Sequence, residues 1–196
     1  MWQGLDAFRT EAAEVDLRGD RLQARGTQIG LAPVAYRLDY ELSTGEGFVT
    51  SCLRVTAAGE RWSRGLELLR DDDGWTVEVE ASGDVELPEP GGDAAAFADA
   101  LDCDLGLCPL TNTMPILRAG LHEDGAGERD FVMAWVEVPS LAVSRSEQTY
   151  RHLRREADRA VVRYGGSHRD GTWDIEVDGL GLVARYEDLA ERAFPG

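Results

Sequence analysis

Hydrophobic and polar residues alternate along much of this chain, a pattern that predicts strands with one buried face. The clearest case is residues 34–42, where Val34, Tyr36, Leu38, Tyr40 and Leu42 alternate with small or charged residues. Residues 62–69, 75–79 and 173–177 show the same alternation. The last two segments follow the turn sequences Asp72-Asp73-Gly74 and Asp170-Gly171, so they predict β-hairpins.

A few segments depart from this alternation. Residues Phe131 to Val138 are apolar on both faces and stop before Pro139, which predicts a strand covered on both sides. The Ala-rich segment from Asp93 to Leu101 predicts about two turns of helix. Residues Glu187 to Phe194, followed by Pro195, predict a short C-terminal helix.

Together these segments predict an all-β, mainly antiparallel protein with one or two short helices. Many short strands joined by turns with Gly and Asp favour a many-stranded barrel-like or strongly curved sheet, because such a sheet hides its edges. The Pro- and Gly-rich stretch Leu87–Gly92 separates two strand-rich halves. Neither half has a composition of its own, so we interpret residues 1–196 as a single domain.

The charge of the chain disfavours two classes of partner. It has 37 acidic and 20 basic side chains, a formal net charge of −17, which repels phosphate backbones and anionic lipid headgroups. We therefore expect no nucleic-acid partner and no stable membrane insertion. The chain shows no signal-peptide pattern and no long apolar segment. Its three cysteines are an odd number without framework spacing, as in reduced cytoplasmic proteins.

Residues suited to catalysis are present, but their arrangement is weak. Ser167, His168 and Asp170 are too close in sequence to converge as a catalytic triad, which recruits from distant segments. Asp102 and Asp104 lie two apart and can share one strand face as a carboxylate pair, which suits an acid/base hydrolase. The cysteines and histidines lack chelating spacing. We therefore predict no metal and no cofactor.

Two arginines are predicted to lie among apolar side chains. Alternation places Arg64 on the strand face that carries Trp62, Leu66 and Leu68. Arg118 follows Met114 and Ile116 at the same spacing, which predicts a shared strand face. A buried cation needs a partner. That partner is either an internal carboxylate or the phosphate or carboxylate of a bound ligand.

One stretch of the chain resembles a known family. Residues 102–118 join an acidic strand to Thr111-Asn112-Thr113 between two prolines, followed by Pro115-Ile116 and Arg118. Further matches are Trp135 to Leu141 with its Val138-Pro139, Gln148-Thr149-Tyr150 and residues 177–183 running into Tyr186. The chain thus resembles, over nearly its whole length, a bacterial family named for glycolipid binding. It departs from the family pattern at Leu117, where a basic residue is expected.

The resemblance implies a β-barrel-like fold, similar in shape to bacterial lipoprotein carriers, and a non-catalytic role in binding a glycolipid or another amphipathic small molecule. Such a site needs an apolar wall and a few polar groups. We predict walls and polar contacts from these residues: Trp62, Trp135 and Tyr150 as walls, and Arg64, Thr111, Asn112 and Arg118 as polar contacts. Each residue also has a purely structural interpretation, which the sequence alone favours: Trp62 and Trp135 as core, Tyr150 at a strand edge, Thr111 and Asn112 in the turn before Pro115, and the two arginines paired with internal carboxylates. A hydrolase that uses Asp102 or Asp104 and a protein interaction module without a small-molecule site are the alternatives.

Overall fold

The computed structural model describes residues 1–193 of the chain and, for Arg169, the backbone alone. Within that range the chain forms fourteen strands in one sheet. Its first half contains seven of them: β1 (Trp2–Gly4), β2 (Arg9–Arg18), β3 (Arg21–Gly30), β4 (Tyr36–Thr44), β5 (Thr50–Ala58), β6 (Trp62–Asp71) and β7 (Gly74–Gly83). The second half contains the others: β8 (Asp102–Leu105), β9 (Glu128–Val136), β10 (Val143–Glu156), β11 (Arg159–Gly166), β12 (Arg169–Val177), β13 (Val183–Tyr186) and β14 (Ala190–Arg192).

The strand order is β7-β6-β5-β4-β3-β2-β1-β14-β13-β12-β11-β10-β9-β8. Strands that follow one another in the chain are therefore neighbours within each half, and the two halves join where β1 pairs with β14. Neighbouring strands are antiparallel except β8 and β9, which are parallel. The predicted fold class, an all-β and mainly antiparallel curved sheet, is confirmed.

The sheet is curled rather than closed, and the segment before β8 ties its two ends together. Thr50 N in β5 donates to Leu101 O at 3.0 Å, and Cys103 N in β8 donates to Thr50 Oγ1 at 3.0 Å. Near the edge strand β7, Trp75 Nε1 donates to Ala100 O at 2.9 Å. These three hydrogen bonds form a seam that keeps the apolar inner face of the sheet covered.

The inner face of the curl packs on a buried piece of chain, residues 102–118, which we call the inner segment. It contains β8, a 3-10 helix from Pro109 to Asn112 and the helix α1 (Thr113–Arg118). Every residue from 102 to 116 is buried except Leu107, which is half-buried. The sheet thus encloses a polar sequence together with apolar side chains, and that polar sequence must find its partners inside.

Several predicted strands are confirmed. The alternating segments at 34–42, 62–69 and 75–79 correspond to β4, β6 and β7, and β6 pairs with β7 as the predicted hairpin. Arg64 lies on the buried face of β6 with Trp62 and Leu66, as predicted. Strand β9 is paired on both sides, by β8 and β10, as expected from its apolar faces.

Other predictions were wrong because tertiary pairing overrides local pattern. The segment from Asp93 to Leu101 contains only a 3-10 helix at Ala94–Phe97. Instead of a C-terminal helix, residues Ala190–Arg192 form β14, held between β1 and β13. The end of that predicted helix, Phe194, and Pro195 lie outside the described residues. No helix within residues 1–193 is long and apolar enough to cross a membrane.

Two further corrections concern the second half. Arg118 does not share a strand face with Met114 and Ile116, because all three lie in α1. The β11–β12 hairpin turns at Ser167-His168, since Gly166 pairs with Arg169. Asp170 and Gly171, predicted as the turn, therefore belong to the beginning of β12.

Candidate functional site

A cavity of about 250 Å³ lies on the inner side of the second half of the sheet. It opens between the inner segment, the end of β9 and the β11–β12 turn. Its lining residues come from five parts of the chain: Asp104, Leu105, Gly106, Leu107, Cys108, Asn112, Trp135, Glu137, Val138, Tyr164, His168, Tyr186 and Leu189. The cavity combines carboxylate, amide and aromatic side chains, the mixture that fixes a small polar ligand.

The chain reaches the cavity through a sharp turn after β8. Strand β8 runs parallel to β9 with Asp104 opposite Trp135, and it stops at Leu105. Gly106 N then donates to Val136 O at 2.8 Å, and a Cβ on Gly106 would lie 2.9 Å from that oxygen. Leu107 follows in the left-handed region at φ +62°. Only a glycine allows this close approach, which turns the inner segment toward the cavity.

Asp104 is the central polar group of the cavity. Its side chain accepts hydrogen bonds from Thr111 Oγ1 at 2.8 Å and from Gln148 Nε2 at 2.7 Å. Both donors are neutral, and they occupy one lone pair on each carboxylate oxygen. An ionised carboxylate has about four acceptor sites, so Asp104 retains capacity to accept hydrogen bonds from a ligand.

An aromatic wall lies beside Asp104, which pairs with Trp135 between β8 and β9. The rings of Trp135 and His168 stack, with centroids 4.7 Å apart and an interplanar angle of 18°. His168 Nδ1 lies 3.0 Å from Ser146 Oγ, which orients the imidazole. Tyr164 packs edge-on against Tyr186 at 5.7 Å. His168 is exposed and Trp135 is half-buried, so solvent and ligands reach this wall.

Gln148 connects Asp104 to a second layer of polar groups. Its Oε1 accepts a hydrogen bond from the Tyr150 hydroxyl at 3.0 Å, and that hydroxyl lies 3.4 Å from Asn112 Oδ1. Burial raises the pKa of Tyr150 well above its ordinary value, so the hydroxyl stays protonated and donates. Through Gln148 this network holds Asp104 in a fixed position, which lowers the entropy lost on binding.

Asp102 and Arg118 form a separate buried ion pair. Arg118 Nη1 donates to Asp102 Oδ1 at 2.7 Å, and Nη2 donates to Oδ2, so the pair is bidentate. The guanidinium also lies 5.4 Å from the Phe131 ring centroid. Burial raises the pKa of Asp102, and the hydrogen bonds and charge of Arg118 oppose that shift. For Arg118, the partner is thus an internal carboxylate.

With this geometry established, comparison with known proteins identifies the family. The family described as "Putative glycolipid-binding" matches residues 1–192. The chain belongs to this glycolipid-binding family. Its fold also resembles the crystal structure of a DUF1089 family protein from Pseudomonas aeruginosa, with a TM-score of 0.69, 25% sequence identity, and coverage of 93% of this chain and 92% of that chain. No curated protein matches the chain. The resemblance predicted from sequence is confirmed.

In this member of the glycolipid-binding family, five of the seven predicted ligand contacts fall into three groups. Asn112 and Trp135 line the cavity. Thr111 and Tyr150 are buried behind it and hydrogen-bond to residues that line it. Arg118 is engaged by Asp102.

The remaining two predicted contacts, Trp62 and Arg64, lie on β6 in the first half of the sheet, away from these groups. Trp62 is buried against Gly59, whose hypothetical Cβ would lie 2.1 Å from Trp62 Nε1. Arg64 is also buried, and its Nε and Nη1 atoms have no hydrogen-bond partner. The nearest carboxylate is that of the exposed Glu89, 3.6 Å from Nη1.

Sequence reasoning missed a buried carboxylate beneath the cavity. Glu11 Oε1 accepts hydrogen bonds from Tyr40 at 2.7 Å and from Cys108 Sγ at 3.1 Å, and Gln28 Nε2 lies 3.4 Å from Oε2. Burial raises the pKa values of Glu11 and of the Cys108 thiol. Alternate residues of a strand share one face, so the sequence places Glu11 on the same face as Arg9 and Ala13. A strand pattern this polar does not indicate that the face is buried.

Gln148, Tyr164 and His168 also contribute to the site, although the sequence did not assign them to it. Gln148 and Tyr150 are two apart on β10, a spacing that places both on one face. The motif Gln148-Thr149-Tyr150 therefore contained a usable signal for Gln148. Tyr164 and His168 reach the cavity only because β11 pairs with β10, a pairing that the sequence pattern does not specify.

A larger groove of about 840 Å³ crosses the outward face of β2 to β7. Small residues such as Thr56 and Gly65 form its floor, and charged residues flank it. Several of these charges pair with each other, as in the bidentate contact between Arg54 and Glu67 at 2.9 Å. The groove lacks the aromatic wall of the inner cavity, so the inner cavity is the better candidate for a specific ligand despite its smaller volume.

Proposed function

We propose that this protein binds an amphipathic small molecule of the glycolipid class, without chemical conversion, and holds its polar headgroup in the cavity around Asp104. The observation that supports this most is the position of Asp104, which has free acceptor capacity, beside the stacked Trp135 and His168 rings in the cavity. A sugar ring presents hydroxyl donors at its edge and C–H groups on its face. Carboxylates accept hydrogen bonds from the hydroxyl groups, and aromatic faces pack against the C–H groups.

The cavity volume fits a headgroup rather than a whole lipid. Sites for drug-sized ligands measure about 300–1,000 Å³, and this cavity, at about 250 Å³, lies just below that range. Membership of the glycolipid-binding family supports the same class of ligand. The three unpaired thiols, Cys52, Cys103 and Cys108, support the reducing cytoplasm as the compartment in which binding takes place.

Isothermal titration calorimetry with a panel of methyl glycosides tests the proposal. Asp104→Asn should weaken the binding of an accepted glycoside at least tenfold, because a hydrogen bond to a charged group contributes about 1.5–3 kcal/mol. His168→Ala, an exposed change, should also weaken it. The matched control is Asp130→Asn, since Asp130 also accepts from a threonine hydroxyl but is exposed on β9. Wild-type protein that binds no member of the panel, or binding unchanged in both cavity variants, would refute the proposal.

A hydrolase is the second candidate, because Asp104, Glu137 and His168 share the cavity. These groups include the second acid that acid/base hydrolysis requires, although Asp102 is committed to Arg118. Incubation with 4-nitrophenyl glycosides and 4-nitrophenyl esters decides between the two functions. Turnover that disappears in folded Asp104→Asn protein would establish catalysis, and a lack of turnover in protein that binds methyl glycosides would favour a binding protein.

A further inference from the structure

The guanidinium group of Arg64 is buried on the inner face of β6 without a hydrogen bond at two of its nitrogens. Its side chain is 6% exposed, and neither Nε nor Nη1 has an acceptor among the residues that the structure describes. An arginine keeps its proton in proteins, so Arg64 cannot lose this charge by titration. Because a buried charge is stable only when it is paired, this position requires an anion.

The contact with Glu89 does not meet this requirement. Glu89 Oε2 lies 3.6 Å from Arg64 Nη1, farther than the about 2.7–3.2 Å of an N–H···O hydrogen bond. The Glu89 side chain is 88% exposed, and an ion pair with a solvated carboxylate contributes little. Glu89 therefore shows from which side a carboxylate approaches Arg64, but it leaves the hydrogen bonds of Nε and Nη1 unmade.

The side chains that flank Arg64 on the inner face are short. Ala57 in β5 and Ala81 in β7 lie directly opposite Arg64. In the next row of the same face the corresponding positions are occupied by larger residues, Val55 and Val79. A small anion bound at the guanidinium therefore meets methyl groups on both sides rather than bulky side chains.

Arg64 is close to the open edge of the sheet. Strand β7 is the edge strand next to β6, and two of its inner-face residues are exposed: Val79, at 47%, and Ala81. The inner face of the sheet is thus in contact with solvent one strand away from Arg64. A ligand reaches the guanidinium from this edge once the side chain of Glu89 moves aside.

The segment that carries Glu89 is weakly tied at that point. Residues 84–92, which we call the linker, follow β7 and return over its inner face, where a Cβ on Gly91 would lie 2.8 Å from a methyl carbon of Val79. Pro88 and Pro90 stand on either side of Glu89, and a proline has no N–H to donate. Displacement of Glu89 therefore breaks no backbone hydrogen bond donated by either neighbour.

The charges of the linker favour a ligand with a single negative charge. It carries Asp84 and Glu86 in addition to Glu89. These carboxylates repel a phosphate group, which carries about −1.5 to −2 charges near pH 7, more strongly than they repel a carboxylate. One carboxylate also balances the charge of one guanidinium and matches its geometry.

We infer that Arg64 is the centre of a second binding site, which takes the carboxylate of a small monocarboxylic acid. The ligand's oxygen atoms accept hydrogen bonds from Nε and Nη1, and Glu89 moves into solvent. Glu89 thus competes with the ligand for Arg64. The site is formed by β5, β6, β7 and the linker, so it does not depend on the proposed headgroup cavity.

Proton–nitrogen correlation NMR at constant ionic strength tests this site, with acetate, butyrate and inorganic phosphate as probes. The Nε–H resonance of Arg64, identified by its loss in Arg64→Met, should shift saturably with acetate or butyrate. The backbone amides of Ala57 and Ala81 should shift with the same dissociation constant. In Arg64→Met these amide shifts should require at least tenfold more ligand, because hydrogen bonds to a charged group are lost.

Glu89→Gln gives the sharper result, because a purely structural ion pair would not produce it. Removing the competing carboxylate should lower the dissociation constant of butyrate about two- to fivefold. The matched control is Glu86→Gln, since Glu86 is exposed in the same linker and takes no part in the ion pair with Arg64. It should change the dissociation constant less than Glu89→Gln does.

Several results would overturn the inference. These are the absence of a saturable shift with either carboxylate, amide shifts that persist unchanged in Arg64→Met, and binding that Glu89→Gln weakens. Tighter binding of phosphate than of both carboxylates would overturn the ligand class and assign the site to a phosphate group. If Arg64→Met fails to fold, the comparison of Glu89→Gln with Glu86→Gln still decides.

Discussion

At the scale of single residues, the two buried arginines differ in how their charges are satisfied. Arg118 forms a bidentate pair with Asp102, whereas Arg64 has two guanidinium nitrogens without a hydrogen-bond partner and only the exposed Glu89 nearby. Removing one partner of a buried ion pair leaves an uncompensated charge, which is costly. Removing a charge that already lacks hydrogen-bond partners does not carry this cost.

This difference predicts that replacing arginine by methionine destabilises the protein at position 118 but not at position 64. Arg118→Met should lower the free energy of unfolding by about 3–5 kcal/mol, because Asp102 is left buried and unpaired. Arg64→Met keeps the apolar stem and should change that free energy by less than about 1 kcal/mol, or raise it. Urea denaturation of both variants measures this. An Arg64→Met protein as unstable as Arg118→Met would mean that Arg64 has a structural partner that the contacts do not reveal.

Glu11 predicts a pH dependence of stability. Burial raises its pKa in the folded protein above the unfolded value, so the folded state binds more protons once the pH passes the unfolded pKa. Stability must then fall with rising pH until the folded pKa is passed. Glu11→Gln removes this dependence. The stability of the variant relative to the wild type should therefore rise as the pH increases above about 4.5. Thermal melts of both proteins at several pH values check the difference, and a constant offset across pH would contradict it.

At the scale of strands, two glycines on opposite faces of the first half have opposite surroundings. A Cβ on Gly26 would lie 2.5 Å from the Tyr40 ring, whereas a Cβ on Gly65 would meet only Glu80 at 3.4 Å. Gly26→Ala should therefore displace Tyr40 and destabilise the protein by about 1–3 kcal/mol. Gly65→Ala should be neutral or stabilise it by up to about 1 kcal/mol, because a strand glycine has a large unfolded-state entropy. Urea denaturation compares the two, and equal losses would contradict this account.

The strand scale also shows where sequence pattern stops being informative. Alternation predicted β4 and β6 because each has one face in water. It failed for the inner segment, which is buried on all sides, so that Met114, Ile116 and Arg118 looked like a strand face although they belong to α1. Periodicity reports a boundary between core and solvent. A segment without such a boundary carries no periodic signal.

Across the chain as a whole, the predictable parts of the candidate site are those that lie within one stretch of sequence. Asn112 and Trp135 belong to stretches whose resemblance to a family pointed to them. His168 stacks on Trp135 from a turn 33 residues further along the chain, after β10 and β11. Such a contact depends on strand order, and strand order is set by the sum of all pairings rather than by any one segment.

Breaking the seam between Thr50 and residues 101–103 would show whether the curl of the sheet stabilises the molecule as a unit. Thr50 Oγ1 accepts the hydrogen bond of the buried Cys103 N–H at 3.0 Å, and Thr50→Val removes that acceptor with little change in shape. The orphaned amide should lower the free energy of unfolding by about 1–3 kcal/mol. Thr56→Val, on the exposed face of β5, is the control and should change it little.

Because the inner segment carries both the seam and Asp104, the loss should extend to the cavity. Amide hydrogen exchange in β8 should speed up in Thr50→Val, while the slope of unfolding against urea stays unchanged if the sheet unfolds as one unit. A steeper loss of protection in β8 than in β4 would show that the seam opens locally. Unchanged exchange in β8 and unchanged stability would show that the curl is held by side-chain packing alone.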